Sequence, residues 1–358
     1  MRRFRLGVIA ECLLLLTLVT AVPVQASELR LRADAPSEYR VQPGDTLWSI
    51  ARRFLHNPWM WPALWHENAA ITNPDMIYPG DILVLKHNES GQTLLSYQQA
   101  EEGSVVRLSP SVRIESYRQA VPSVPMQKIA PFIERHQVFT EEQLENSGYI
   151  LSMEDNRIVA GLNDRVYVRG AGYSAVGSRY LLYRQEKAYQ SSQFRPNQPN
   201  RMLGYEMRYI GTLELESLDN DIATMRVVKS KEEVREKDIV TLQDMGETPA
   251  TFYPNAPSRR VQGEIISMLE GVGFGGLYSV VAINLGEDHH LSPGNVLIIS
   301  TQREKAKDAR NGEQVALPPE AMGYLMVFRT FSRVSYALVM EAGKPVKVGD
   351  LLTVPDLQ

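Results

Sequence analysis

All four tryptophans of this 358-residue chain, Trp48, Trp59, Trp61 and Trp65, fall within 18 consecutive residues. Turn chemistry brackets that stretch, at Pro43-Gly44-Asp45 before it and Pro79-Gly80-Asp81 after it. A unit this small has little volume to bury and usually relies on a disulfide or a metal. The single cysteine, Cys12, lies far upstream, which excludes an internal disulfide framework and any zinc site with two cysteine ligands. Aromatic side chains, each burying roughly 150–250 Å², must therefore build much of the core. Trp48, Trp61 and Trp65 are expected inside it. Trp59 lies off the face shared by Trp61 and Trp65 and is expected at the surface.

The segment reads strand, helix, helix, strand. Tyr39 and Val41 alternate as a short strand. Asp45 or Thr46 can N-cap a helix in which Leu47, Ile50, Ala51 and Phe54 recur at helical spacing. Pro58 suits the first turn of a second helix, in which Trp61, Leu64, Trp65 and Asn68 share one face. Asn73-Pro74-Asp75 and Pro79-Gly80-Asp81 are turns, and residues 82–85 close as a strand. The residues Tyr39, Val41, Gly44-Asp45-Thr46-Leu47, Ile50-Ala51, Asn68, Asn73-Pro74-Asp75, Ile77, Pro79-Gly80-Asp81 and Leu83 resemble the LysM domain over 38–86. The region between the helices, residues 55–62, is more aromatic than the common pattern of that family. The resemblance implies a βααβ fold and binding of N-acetylglucosamine-containing glycans, above all peptidoglycan and chitin. It implies a shallow groove with Gly44, Asp45, Thr46 and Leu47 on one wall and Asn73, Pro74, Asp75, Met76 and Ile77 on the other. Turn amides and a small apolar slot suit an N-acetyl group, and a neutral sugar needs no charged clamp. His56 and His66 have no partner at metal-ligand spacing and are expected at the surface.

Residues 1–26 read as an export signal: Arg2, Arg3 and Arg5, then an apolar run from Cys12 to Val22, then Val24-Gln25-Ala26 at cleavage spacing. The alternative is an uncleaved anchor, but Glu11 and Pro23 interrupt the run. Cys12 follows Glu11 and precedes the apolar stretch, which does not suit lipidation. Loss of residues 1–26, with three Arg and one Glu, moves the formal net charge from -4 to -6 and removes the only thiol. That charge excludes a dedicated nucleic-acid binder. The chain is expected in the periplasm or cell envelope, with no stable membrane span once the signal is cleaved.

Residues 87–149 are expected to be a linker holding a hairpin over 104–115, a short helix over 126–135 and a helix opened by the capping box Thr140–Gln143. Beyond 150 the pattern is strands and turns, with strand-like runs at 166–169, 180–183, 223–228, 280–283, 296–299 and 336–340. Gly204-Tyr-Glu-Met207 returns as Gly323-Tyr-Leu-Met326, Lys237-Asp238 as Gly349-Asp350, and Gly177-Ser178 as Gly294-Asn295. These echoes suggest two diverged copies of one β module, at 150–245 and 258–358. The alternative is chance recurrence of similar turns, since Gly80-Asp81 has the same form. The class is α+β: a small βααβ domain and a mainly-β tail.

No catalytic or metal-ligating set stands out. Gly271-Val-Gly273-Phe-Gly-Gly276 matches a dinucleotide motif in letters only, because a strand-like run follows where a phosphate-binding helix is needed. It is expected to be a glycine-rich loop or a bulge at a sheet edge. Glu287-Asp288-His289-His290 is expected to be a solvated turn, and the charge run 229–238 a solvated rim. G-x-S-x-G and H-E-x-x-H are absent from the sequence. The expectation is a non-catalytic protein without cofactor or metal, held on peptidoglycan, whose tail serves as scaffold or binds other envelope proteins. The alternative is a wall hydrolase with an unrecognised site in the tail, since carboxylates are plentiful. A third reading is an assembly or secretion factor that uses the wall as a platform.

Overall fold

The computed structural model describes residues 30–62, 77–87, 93–98, 122, 124–125, 128–130, 132, 136–170, 172–191, 202–243, 252–269, 273–301 and 305–355. The export signal with Cys12, the second helix beyond Pro62 with Trp65 and His66, and the hairpin expected over 104–115 lie outside these residues. Among the described residues no helix is long and apolar enough to cross a membrane.

The N-terminal module holds β1 (Glu38–Arg40), α1 (Leu47–Phe54), β2 (Ile82–His87) and β3 (Thr93–Gln98). Thr46 caps α1 with a full capping box: its side chain accepts from Ser49 N–H at 3.1 Å, and Ser49 Oγ accepts from Thr46 N–H at 2.9 Å. Arg52 and Arg53 sit in the last turn, where the helix dipole favours cations. β1, β2 and β3 form an antiparallel sheet in that order. β3 lies in the stretch read from sequence as linker. It prolongs the sheet by one strand beyond the βααβ outline. Residues 128–130 and 132 are helical, inside the expected helix.

The tail contains two six-stranded antiparallel rings. The first uses β5 (Gly148–Met153), β6 (Arg165–Arg169), β7 (Arg179–Gln190), β8 (Met202–Asp219), β9 (Ile222–Ser230) and β10 (Ile239–Leu242). β4 (Gln137–Phe139) joins β8 at its edge, and α2 (Glu141–Glu145), capped by Thr140, follows it. The second ring uses β11 (Gln262–Met268), β13 (Val280–Ile283), β14 (Val296–Ser300), β17 (Ala321–Thr330), β18 (Ser335–Ala342) and β20 (Leu351–Thr353). β12 (Phe274–Gly275) pairs with β19 (Val346–Lys347), and β15 (Lys305–Lys307) with β16 (Gln314–Ala316). The glycine-rich loop therefore leads into a two-stranded ribbon. Gly271 lies outside the described residues.

Numbered within each ring, the strands follow one order, 1-2-5-4-3-6, closing back on strand 1. In the first ring this is β5-β6-β9-β8-β7-β10. In the second it is β11-β13-β18-β17-β14-β20. Irregularities of register coincide as well. The β5/β6 pairing slips between Ile150 and Ser152, and β11/β13 between Ile265 and Ser267. The β8/β9 pairing slips after Thr212, and β17/β18 after Tyr324. A Cβ placed on Gly211 would lie 2.3 Å from the Lys229 carbonyl oxygen, and one on Gly323 would lie 1.9 Å from that of Glu341. Each glycine lets the strand beside the bulge approach its neighbour.

Strands 2, 3 and 6 of both rings begin with the same turn. Its third residue has positive φ and its fourth donates N–H back to the first carbonyl. In the first ring Asp164, Ser178 and Asp238 close these turns, and in the second Ser279, Asn295 and Asp350. Asp238 Oδ2 accepts Arg235 N–H at 2.8 Å, and Asp350 Oδ2 accepts Lys347 N–H at 2.8 Å. Each turn docks on the equivalent strand: Asp164 on Val227 and Ser279 on Val339; Ser178 on Leu215 and Asn295 on Val327; Asp238 on Ile150 and Asp350 on Ile265. Asp81 of the N-terminal module makes the same turn, accepting Tyr78 N–H at 2.8 Å. The turn by itself is thus a local solution that recurs anywhere, whereas its docking partner is specific.

The interiors are mainly aliphatic, with Tyr180 also buried in the first ring. Ile150, Val166, Val168, Leu182, Leu213 and Val227 fill the first ring; Ile265, Val281, Ile283, Ile299, Leu325 and Val339 fill the second. The outer faces differ. On β6, β8 and β9, Arg165 meets Glu216 at 2.7 Å, and Arg226 meets Glu214 at 3.0 Å and Glu216 at 2.8 Å. The equivalent positions on β13, β17 and β18 are Val280, Phe328, Leu338 and Met326, all buried in one cluster with the N-terminal module. Trp48 meets Tyr324 edge-on at 6.3 Å, and Trp61 meets Tyr253 at 5.7 Å. The tryptophan module is therefore packed on the second ring. Trp59, expected at the surface, is 5% exposed, beside Trp48 at 2% and Trp61 at 0%. Helical spacing puts it off the buried face of a free-standing module, whereas the large shared cluster takes in the 3-10 turn Pro58–Met60 as well. The run 229–238 is likewise not a solvated rim throughout. Asp238 is buried and held by Arg184 at 2.8 and 2.7 Å, because it closes a turn against β5.

Candidate glycan-binding site

The first wall of the proposed groove is a turn running into the cap of α1. Asp45 N–H donates to the Gln42 carbonyl at 3.1 Å. Asp45 Oδ2 accepts from Gln42 N–H and from the Tyr39 hydroxyl, each at 2.8 Å, and Ser49 Oγ reaches Asp45 Oδ1 at 3.3 Å. Burial, together with the Asp45 hydrogen bond, holds the Tyr39 phenol above its ordinary pKa. Thr46 is 3% exposed and occupied by its capping box. Leu47 N–H donates to the Pro122 carbonyl at 3.0 Å, and Leu47 is fully buried. The amides of Asp45, Thr46 and Leu47 are all engaged within the protein. Gly44, at φ 90°, is exposed with open space around its Cα.

On the second wall, Ile77 is buried in the same cluster as Leu47. Asn73, Pro74, Asp75 and Met76 lie outside the described residues. Of the assigned residues, Leu47 and Ile77 come together as core, Asp45 and Thr46 shape the turn, and Gly44 with the edge of Asp45 reaches solvent. Sequence spacing identifies the loop but does not separate the side chains that build it from those that face a ligand. Pro122 had no sequence signal, since its contact spans 75 residues of chain.

The other polar groupings are structured by neighbours within the chain. Glu287–His289 forms a 3-10 turn in which His289 Nδ1 accepts Gly286 N–H at 3.2 Å, and His290 Nε2 lies 2.8 Å from Arg259. Among the described residues no group of three or more His, Cys, Asp or Glu is placed to hold a metal. Between the rings, the Tyr189 hydroxyl donates to Glu206 Oε2 at 2.8 Å, while Lys187 Nζ reaches Glu206 at 3.3 Å and Ser267 Oγ at 2.7 Å. Burial drives the Tyr189 hydroxyl far above its ordinary pKa, so it acts as a donor.

No curated protein matches this chain. The family model of the LysM domain matches residues 39–86, and that segment of the chain, with its capped first helix and flanking strands, is a LysM domain.

Proposed function

We propose that this is an exported, non-catalytic protein of the periplasm or cell envelope that binds peptidoglycan through its LysM domain and presents its two β rings as scaffold. The LysM match over 39–86 carries the reading, since the family binds N-acetylglucosamine-containing glycans. The described wall suits a neutral sugar: a rigid turn with an exposed glycine, in which the Asp45 carboxylate is taken up by hydrogen bonds within the protein. Such grooves bind weakly, with Kd of order 10 µM to 1 mM, or about -4 to -7 kcal/mol, and repeated rebinding on a polymer localises the protein nonetheless. The non-catalytic reading draws support from the buried apolar side chains that fill the interiors of both rings.

The full mature chain is expected to co-sediment with purified sacculi and to release no soluble muropeptide. Failure to co-sediment removes the glycan assignment; release of muropeptides replaces it with a hydrolase. The capping role of Thr46 makes it a poor groove variant. Thr46 caps α1, so its replacement perturbs the fold, whereas Asp75→Arg in the full chain is expected to weaken co-sedimentation without lowering the melting temperature.

The two rings are read as diverged copies of one module. Shared strand order, bulges, turns and docking partners support this, and chance recurrence of turns explains only the turns. The equivalent pairs Ile150 and Ile265 lie 115 residues apart, whereas Leu215 and Val327, Val227 and Val339, and Asp238 and Asp350 lie 112 apart. On this register Gly323 corresponds to Gly211. The Gly204-Tyr-Glu-Met207 echo is displaced by seven residues along β8 and is coincidental. A stronger repeat is Gly148-Tyr-Ile-Leu-Ser-Met153 against Gly263-Glu-Ile-Ile-Ser-Met268, on strand 1 of each ring.

A further inference from the structure

Beside the turn at Asp45, a cavity of about 620 Å³ opens between α1, the segment preceding β1, and the second ring. Three arginines line it, on a chain whose net charge is negative. Arg32 is held by Asp34 in a two-pronged pair at 2.9 and 3.1 Å. Arg52 has a looser partner, Glu341, at 3.6 Å, and its side chain is half exposed. Arg53 stacks over the Tyr39 ring at 4.5 Å and has no carboxylate within ion-pair distance among the described residues. Trp48 and Tyr278 supply aromatic surface.

Tyr278 is the unusual member. It takes φ 64° at the third position of the turn that begins strand 2 of the second ring. Its counterpart in the first ring is Asn163, and three of the other four such turns carry glycine there. A bulky aromatic residue in the left-handed region is disfavoured, so a bound partner is a reason to keep it. The cavity also touches the groove. Ser49 lines it and contacts Asp45, and Arg53 stacks on the tyrosine whose hydroxyl Asp45 accepts.

We propose that this cavity binds the carboxylates of a short acidic peptide carried as a branch on the glycan strand. The inference rests on the peptidoglycan reading above and extends it from sugar to peptide. Guanidinium groups match carboxylates as planar forks, which is the reason for arginine at this place. The volume falls within the range of small-ligand sites. A glycan in the groove would bring its peptide branch to the mouth of the cavity, so the two contacts would act together.

The test titrates the full mature chain with four ligands: a peptidoglycan oligomer with its peptides, the same oligomer after amidase removal of the peptides, the free peptide, and that peptide amidated at its carboxyls. The peptide-bearing oligomer is expected to bind about tenfold tighter than the stripped one, with the increment shrinking as salt rises. The double variant Arg52→Gln/Arg53→Gln is expected to abolish the increment and leave binding of the stripped oligomer unchanged. Equal affinity of the wild type for both oligomers overturns the proposal while the groove assignment stands. An unchanged increment in the double variant, or equal binding of a peptide amidated at its carboxyls, also overturns it. Binding of the free peptide alone, lost in the variant, supports the cavity and removes the glycan groove. No binding of any ligand removes both.

Discussion

Gly323→Ala tests the geometry of the second ring directly. The new methyl carbon would sit 1.9 Å from the Glu341 carbonyl oxygen and 2.6 Å from its carbon, both backbone atoms of the neighbouring strand. Ordinary contact begins near 3.4 Å, so β17 and β18 must separate by roughly 1.5 Å at the bulge, which no side-chain rotation can relieve. Overpacking of this kind costs about 1–3 kcal/mol. The adjacent bond from Gly343 N–H to the Met322 carbonyl, 2.7 Å, is weakened with it, adding about 1 kcal/mol. A loss of about 2–4 kcal/mol should lower the melting temperature by about 4–16 °C. Urea titration of a chain spanning residues 27–358, followed by tryptophan emission, reads the effect because Trp48 contacts Tyr324, the next residue. Gly211→Ala should cost a similar amount, since its clash is with the equivalent carbonyl of Lys229 at 2.3 Å. Gly276→Ala, which meets nothing within 4 Å, should stay within about 0.5 kcal/mol of wild type. A Gly323→Ala loss below that same margin would refute the close strand approach and, with it, the shared bulge.

Three further outcomes follow from the structure. Thr46→Ala should destabilise the LysM domain by about 1 kcal/mol through loss of the α1 cap, measured by urea titration. Arg184→Met leaves the buried Asp238 carboxylate without its two-pronged partner and should cost about 3–5 kcal/mol, whereas Arg157→Met, an exposed pair with Asp164, should cost under 1 kcal/mol. Burial pushes the His136 pKa below its ordinary 6.5. The folded state then binds fewer protons than the unfolded one, so stability is full above pH 6.5 and falls as pH drops below it. His136→Gln should flatten the decline of the urea midpoint between pH 7.5 and 5.5, and an unchanged slope would exclude His136 as its source.

The LysM domain was legible in sequence because its signals are local. Thr46 and Ser49 make a cap within four residues, and Gly44 and Gly80 mark turns in the left-handed region. The strands at 166–169, 180–183, 223–228, 280–283, 296–299 and 336–340 were legible for the same reason: β-branched and apolar residues at short range. The likeness of the two rings showed in sequence only as an echo, and one of its three pairs does not align on the strand register. Letters at 204–207 and 323–326 match better than the topologically equivalent residues at 211–214, because strand register is set by the pattern of faces and not by individual side chains.

The sequence by itself determined the small LysM fold, its turns, and the strand-like runs that hold Val281, Ile283 and Val339. It could not assign the other face of those strands. Val280, Leu338, Met326 and Phe328 point outward from the second ring and would be surface residues on an isolated module. Only the tertiary structure shows that Trp48, Trp59 and Trp61 join them in one buried cluster, while the matching face of the first ring carries the Arg165, Arg226, Glu214 and Glu216 ladder. Hydrophobic burial is non-directional and takes whatever apolar area the chain brings near. Which strand face is covered therefore depends on contacts made hundreds of residues apart. The same contacts bring Arg52 and Arg53 beside Tyr278 and create a cavity that no local pattern announces.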